Sequence, residues 1–440
     1  MPRRSARIPS GWSRPTAGLA LSAVLLAILP WLTELQQSPE AEPRQVDDPA
    51  VVEGLAWHLD QIGAPRAWRS GLGAGTVVAV IDSGVDVTHP DLHHQVRESV
   101  SCIGAAGDPG RCQVELPGTG AETHGTHVAG LIAARADDHI GVAGVAPRAE
   151  LLVVRTLQTS CPTEHDCRLT GDTDDVAAGV RWATSAGADV INLSLNTPRL
   201  GEELRGALDE AWDAGVVPVL AAGPRTSAAG FFDYSSAVLV TATDRSGHLA
   251  DHAPFLDAGS PGLAAPGGSD GDTPESCRVG GAPMGLLSTA ARTEGDRSGY
   301  ACLSGTSMAA AVVSGSLAVL LSMGYEAEAA LDRLADTARP GSGLGAGAVD
   351  LAAATAGPHR GGVTSEAQSF NTGAPRAQVT GATTGPFRGA ASAEADGRPT
   401  WLILVLAGLA VLVVGDMVLR VRARRRGESR LHPGPTDDVA

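Results

Sequence analysis

The stretch TVVAVIDSGVDVTHPDL, residues 76–92, decides how the rest of the chain reads. From Val77 to Ile81 it is apolar without interruption and mostly β-branched, the pattern of a strand buried on both faces, as in a parallel sheet. Asp82 closes the run, and Ser83-Gly84 then turns the chain. A carboxylate at the carboxyl end of such a strand stands where open α/β sheets gather their sites.

Working outward, strand-like runs recur at 151–155, 190–195, 216–221 and 237–242, and helix-like patterns at 125–134, 173–185, 201–214 and 307–322. Strands alternating with helices predict an α/β fold, a mainly parallel sheet with helices on both faces. The length, 440 residues, allows two or three domains, although one α/β unit often spans 250 or more of them. With 43% hydrophobic residues but only 3% aromatics, the core falls to Ala, Val, Leu and Ile.

Two further words complete a nucleophilic hydrolase. His124 lies in ETHGTHVAG at the start of a predicted helix, and Ser307 in LSGTSMAA, where small neighbours let a substrate approach. A serine hydroxyl is a poor nucleophile until an oriented imidazole removes its proton, and an Asp can orient that imidazole. Singly, each residue has a duller reading: a turn for the Asp, a helix cap for the His and the Ser. Three in one order with extended context are hard to obtain from caps and turns alone. His127, one turn beyond His124, reads as a buried structural histidine. A nucleophile elbow is excluded, because Ser307 is not in a G-x-S-x-G turn, and the absence of Lys excludes a Ser-Lys dyad.

The two ends read as membrane segments. Arg3, Arg4, Arg7 and Arg14 precede an apolar run at 17–32, so 1–32 is a signal peptide or anchor. Residues 401–419 are nearly unbroken hydrophobe, at ~1.5 Å each enough for a bilayer core of roughly 30 Å. Arg420, Arg422, Arg424, Arg425 and Arg426 follow, which keeps a basic tail, 420–440, in the cytoplasm and the bulk of the chain outside. Between them, 33–56 is a polar extension, 57–356 the folded domain, and 357–400 a Pro/Gly-rich flexible linker. The net charge of −16 argues against a nucleic-acid partner.

All six cysteines lie in the part predicted to be exported. An even count outside the cytoplasm reads as disulfides. Fifteen pairings are open; the preferred set joins Cys102 with Cys112 and Cys161 with Cys167, each closing a short polar loop, and Cys277 with Cys302. No spacing of metal-ligand type appears, so neither a metal nor another cofactor is expected.

DSGVDVTHPDL, HGTHVAGLIAA followed by GVAGVAP, VINLSL and SGTSMAAAVVSG together resemble the motifs of the subtilisin-like serine proteases. The resemblance implies Ser307 as nucleophile, His124 as general base and then acid, and Asp82 as orienter. It also implies a protein substrate, bound along Leu193, Ser194, Leu195 and Asn196 and along Ala221, Ala222 and Gly223. The order of signal, short extension, disulfide-bearing domain, tether and basic-tailed span resembles the mycosins, membrane-anchored subtilases of type VII secretion systems. That implies partners in the membrane and in the secretion complex, and an extension that wraps the domain. Calcium is common among subtilases, but no loop here carries a pattern that assigns a site.

Two positions depart from the family pattern. Pro224, in VVPVLAAGPRTS, stands where an Asn donates to the oxyanion, and proline offers neither a side-chain donor nor an N–H. Arg225, Thr226 and Ser227 are the nearby residues able to supply a replacement donor. Asn196 stands where a Gly is usual. A slow endopeptidase and a protease-fold scaffold subunit of a secretion complex are therefore both expected readings.

Overall fold

The computed structural model describes residues 46–356, except 118–119, 164–165, 196–200, 226–234, 259, 261, 270–283 and 294–296, with backbone only across 161–168. The expected signal, linker, span and tail, and also Asn196, Thr226, Ser227 and Cys277, lie outside the described residues. Among the described residues no single helix is long and apolar enough to cross a membrane.

Eight strands form one sheet in the order β10-β9-β8-β7-β1-β4-β2-β3. They are β1 Val77–Asp82, β2 Val96–Ser101, β3 Gln113–Val114, β4 Glu150–Arg155, β7 Val190–Leu193, β8 Val217–Ala221, β9 Val238–Thr243 and β10 Gly262–Pro266. Every pairing is parallel except that of β3 with β2. On one side of β1 chain order runs outward through β7, β8, β9 and β10, and on the other β4 returns to pair with β1 inside the earlier strands β2 and β3. The carboxyl end of β1 is thus the switch point of the sheet, and Asp82 occupies it. Two small antiparallel pairs complete the strands: β5 Gln158–Thr163 with β6 Asp166–Thr170, and β11 Leu286–Thr289 with β12 Tyr300–Leu303.

Five helices longer than ten residues lie among the described residues: α1 Thr123–Ala133, α2 Thr173–Ser185, α3 Glu202–Asp213, α4 Thr306–Ser322 and α5 Ala327–Thr337. Alternate strand residues face opposite sides. Val78, Val80, Leu151 and Val153 pack with Val128 and Leu131 of α1, Val312 and Leu317 of α4 and Leu334 of α5. Ala79, Ile81, Leu152 and Val154 pack with Val176 and Val180 of α2 and Leu204 and Leu208 of α3. Both faces of the sheet are covered, as the continuous apolar strands predict. α4 is apolar all round and is sealed within the first of these layers.

Predicted helix and strand limits shift by one or two residues. The pattern at 190–195 ends early, at Leu193, because Ser194 turns to bond α4. Packing also begins before Trp57: Asp48 and Ala50 are buried, Asp48 accepts the Asp137 N–H, and the Ala50 N–H donates to Gly141 O. The Cys102–Cys112 disulfide is formed, and Cys302 is disulfide-bonded as well.

Candidate active site

Asp82 is the last residue of β1 and its side chain is 1% exposed. Its Oδ1 accepts from Ser83 N–H at 2.7 Å, Ser83 Oγ at 3.1 Å and His124 Nδ1 at 2.8 Å. That last bond places the proton on Nδ1 and leaves Nε2 free to accept one. His124 is the second residue of α1, its side chain 25% exposed. Gly125 follows it, and a Cβ there would overlap Gly84 O and fall 3.2 Å from Asp82 Oδ1, so a side chain would push α1 off the β1 turn. Burial works against the imidazolium, yet the Asp82 charge and hydrogen bond together outweigh it and hold the His124 pKa above the ordinary value.

Ser307 is the second residue of α4, in the turn whose N–H groups have no intrahelical acceptor. Its carbonyl accepts from Ser194 Oγ at 2.8 Å, and its own Oγ donates to Ser194 O at 3.4 Å. Thr306 Oγ1 accepts the Gly223 N–H at 3.1 Å, fixing the same turn to the end of β8. Behind it, Asn192 Nδ2 donates to Ser194 Oγ at 2.8 Å, and Ser314 Oγ donates to Asn192 Oδ1 at 2.9 Å. Ser194 is one step past Leu193, which pairs with Ile81 as Asp82 leaves the neighbouring strand. Asp82, His124 and Ser307 are therefore gathered at the carboxyl rim of adjacent strands. Asp82 and His124 are joined directly, whereas Ser307 Oγ leans on Ser194 O and no hydrogen bond joins it to His124 among the described residues. Such bonds often tighten only when substrate binds.

The expected substrate residues separate. Leu193 is sealed in the core with α2 and α3, so only its backbone is available to a ligand. Ser194 is buried and bonds the Ser307 turn, Leu195 packs in the same layer as Leu193, Ala221 lies in the layer of α4, Ala222 is buried, and Gly223 is tied to Thr306. Pro224 is exposed, immediately after Gly223 at φ 74°. Arg225 is turned elsewhere: its N–H donates to His252 O at 2.8 Å and its guanidinium to Asp251 O at 3.4 Å.

His127 does not face this rim. Its Nε2 lies 2.9 Å from Leu286 O, and burial pushes its pKa down to about 4. Beside it His58, which the sequence reading passed over, is fully buried, and burial followed by the proximity of His127 lowers its pKa to about 3. Its signal was its place on the apolar face of AWHLDQI, and neither ring nitrogen has a partner. Away from the rim, Asp47, Asp48 and Asp137 bring carboxylate oxygens within 4.8 Å of one another, and buried Asp48 Oδ1 lacks a partner. This all-oxygen set is of the type that suits a hard cation such as calcium, which would offset two of the three carboxylate charges and fasten the loop after α1 to the amino-terminal segment.

The Subtilase family model matches residues 73–378. An alkaline protease of Alkalihalobacillus alcalophilus is 33% identical over 307 residues, which cover 64% of this chain and 68% of that protein. Thermitase of Thermoactinomyces vulgaris is 33% identical over 287 residues, 65% of this chain and 88% of that protein. A protease from Pseudoalteromonas arctica shares the fold with a TM-score of 0.58 at 29% identity, covering 70% of this chain and 98% of that one. Matched across most of its length by the family model and by several proteases, the chain belongs to the Subtilase family and is a subtilisin-like serine protease.

Proposed function

We propose that the protein is a slow serine endopeptidase, anchored to the cytoplasmic membrane with its catalytic domain outside, that uses Ser307, His124 and Asp82. The observation that carries this is the 2.8 Å bond from His124 Nδ1 to Asp82, which leaves Nε2 as a base at the rim where Ser307 sits. His124 Nε2 takes the Ser307 proton as Oγ attacks the scissile carbonyl, then returns it to the leaving amine. Asp82 stays ionised and stabilises the imidazolium. The oxyanion meets N–H groups of the first turn of α4, where the helix dipole also favours negative charge. With Pro224 in place of a side-chain donor, turnover is lower by roughly 100- to 1000-fold, about 2.7–4 kcal/mol. No charged residue lies along Ala221 to Gly223, so cleavage after Lys or Arg is not preferred.

The anchoring rests on the apolar run 401–419 and the Arg cluster after it, and the association with type VII secretion on the mycosin-like segment order. A second reading, a protease-fold scaffold that stabilises a secretion membrane complex, is favoured by Pro224. A fluorophosphonate probe on the full chain in membranes separates them. Labelling of wild type but not of Ser307→Ala supports the enzyme. Labelling that appears only in Pro224→Asn sinks it in favour of the scaffold.

A further inference from the structure

We infer that Glu115 is a positioning residue for His124, acting through Arg155 and the glycine contacts between them; this rests on the reading of His124 as the general base. β4 ends on Arg155, whose partner across β1 is Asp82. Both Nε, at 2.8 Å, and Nη2, at 2.5 Å, of Arg155 reach Glu115 Oε1, and the two side chains are 22% and 9% exposed. A charge pair this enclosed holds its geometry better than an exposed one, because water competes less for either partner.

Two glycines are pressed against the pair. A Cβ on Gly120 would meet Arg155 Nε at 2.6 Å and Glu115 Oε1 at 2.9 Å, and one on Gly84 would overlap Gly120 O and meet Arg155 Cδ at 3.0 Å. Gly84 O, in turn, is the atom against which Gly125 of α1 packs. A continuous contact path thus runs from Glu115 through Arg155, Gly120 and Gly84 to the residue after His124. Glu115 also donates its N–H to Ser99 O at 2.9 Å, so this segment is held to β2 by its backbone and to Arg155 by the Glu115 side chain. Gly120, pressed against the pair, lies three residues before Thr123, the first residue of α1.

Asp82 and His127 interact with the His124 ring; Glu122 caps α1, Asp86, whose N–H donates to Thr126 Oγ1 of α1, pairs with Arg292, and the Arg155–Glu115 pair reaches α1 through the glycine contacts. Of these, Asp82 is the one hydrogen-bonded to the ring. Releasing the segment loosens that bond, and His124 then titrates closer to an ordinary histidine.

The test titrates His124 in the full chain by the pH dependence of its modification by diethyl pyrocarbonate, read by peptide mass spectrometry. In wild type the midpoint is expected above that of an ordinary histidine, because of the Asp82 charge and hydrogen bond. Glu115→Gln lowers it by about half a unit and lowers kcat about tenfold with KM unchanged. The exchanged pair, Glu115→Arg with Arg155→Glu, restores both. An unmoved midpoint in folded Glu115→Gln, or one that the exchange does not restore, overturns the inference. Should Glu115→Gln fail to fold, Arg155→Met is read in its place against the same exchange. Because this modification does not need Ser307, a protein that never labels with fluorophosphonate sinks the enzyme reading while the His124 midpoint still decides the role of Glu115.

Discussion

At position 224 one pyrrolidine ring sets the expected rate. The Gly223 N–H is spent on Thr306 and the Arg225 N–H on His252 O, and the Arg225 guanidinium turns to Asp251 O. Pro224→Asn should raise kcat by about 100-fold or more on a peptide substrate; an unchanged kcat would show that this position faces no oxyanion. A second residue-scale outcome comes from His58 and His127, whose pKa values near 3 and 4 lie below the ordinary 6.5. The unfolded chain takes up protons that the folded one refuses. Their contribution to stability is therefore complete above about pH 6.5 and is lost as the pH falls toward 4 and 3, by about 1.4 kcal/mol per pH unit for each. In denaturant melts between pH 7 and pH 5, His58→Leu should flatten the dependence by one proton; an identical slope would contradict a neutral, buried His58.

At the scale of elements, α4 carries both the nucleophile candidate and much of one core layer. The chain of bonds from Ser314 through Asn192 and Ser194 to the Ser307 carbonyl ties α4 to β7. Ser314→Ala leaves a buried amide oxygen without its donor and should cost about 1–3 kcal/mol in urea unfolding, with a fall in kcat as the Ser307 turn loosens. A loss below ~0.3 kcal/mol would mean that another donor steps in. The elements that bear the site were legible because they obey a strong period: β1 is continuous apolar sequence, and α4 is apolar with small residues throughout. β2, β10 and the β5–β6 hairpin were not foreseen. β2, VRESVS, is polar and half exposed near the sheet edge, β10 is short and holds Gly and Pro, and β5–β6 is a polar excursion that, among the described residues, pairs within itself.

For the molecule as a whole, two features lie beyond any one element. The Cys102–Cys112 disulfide closes a loop between β2 and β3 at the sheet edge that leads on to Glu115. Replacing both cysteines with Ser should lower stability by about 2–3 kcal/mol through the freed unfolded chain, measured as a lower Tm; an unchanged Tm would mean that the edge holds without it. The other feature is the sheet order, which turns the carboxyl end of β1 into a crevice between strands that diverge in sequence.

The sequence by itself determined the fold class and singled out Asp82, His124 and Ser307 as candidates, because apolar periodicity and the words around those residues are local properties of the chain. Tertiary structure decided which side chains meet. The bond of His124 to Asp82, the capture of Ser307 by Ser194, the sealing of Leu193 into the core and the Glu115–Arg155 pair behind Gly84 each depend on strand register and helix docking, and those are set by packing between segments far apart in sequence.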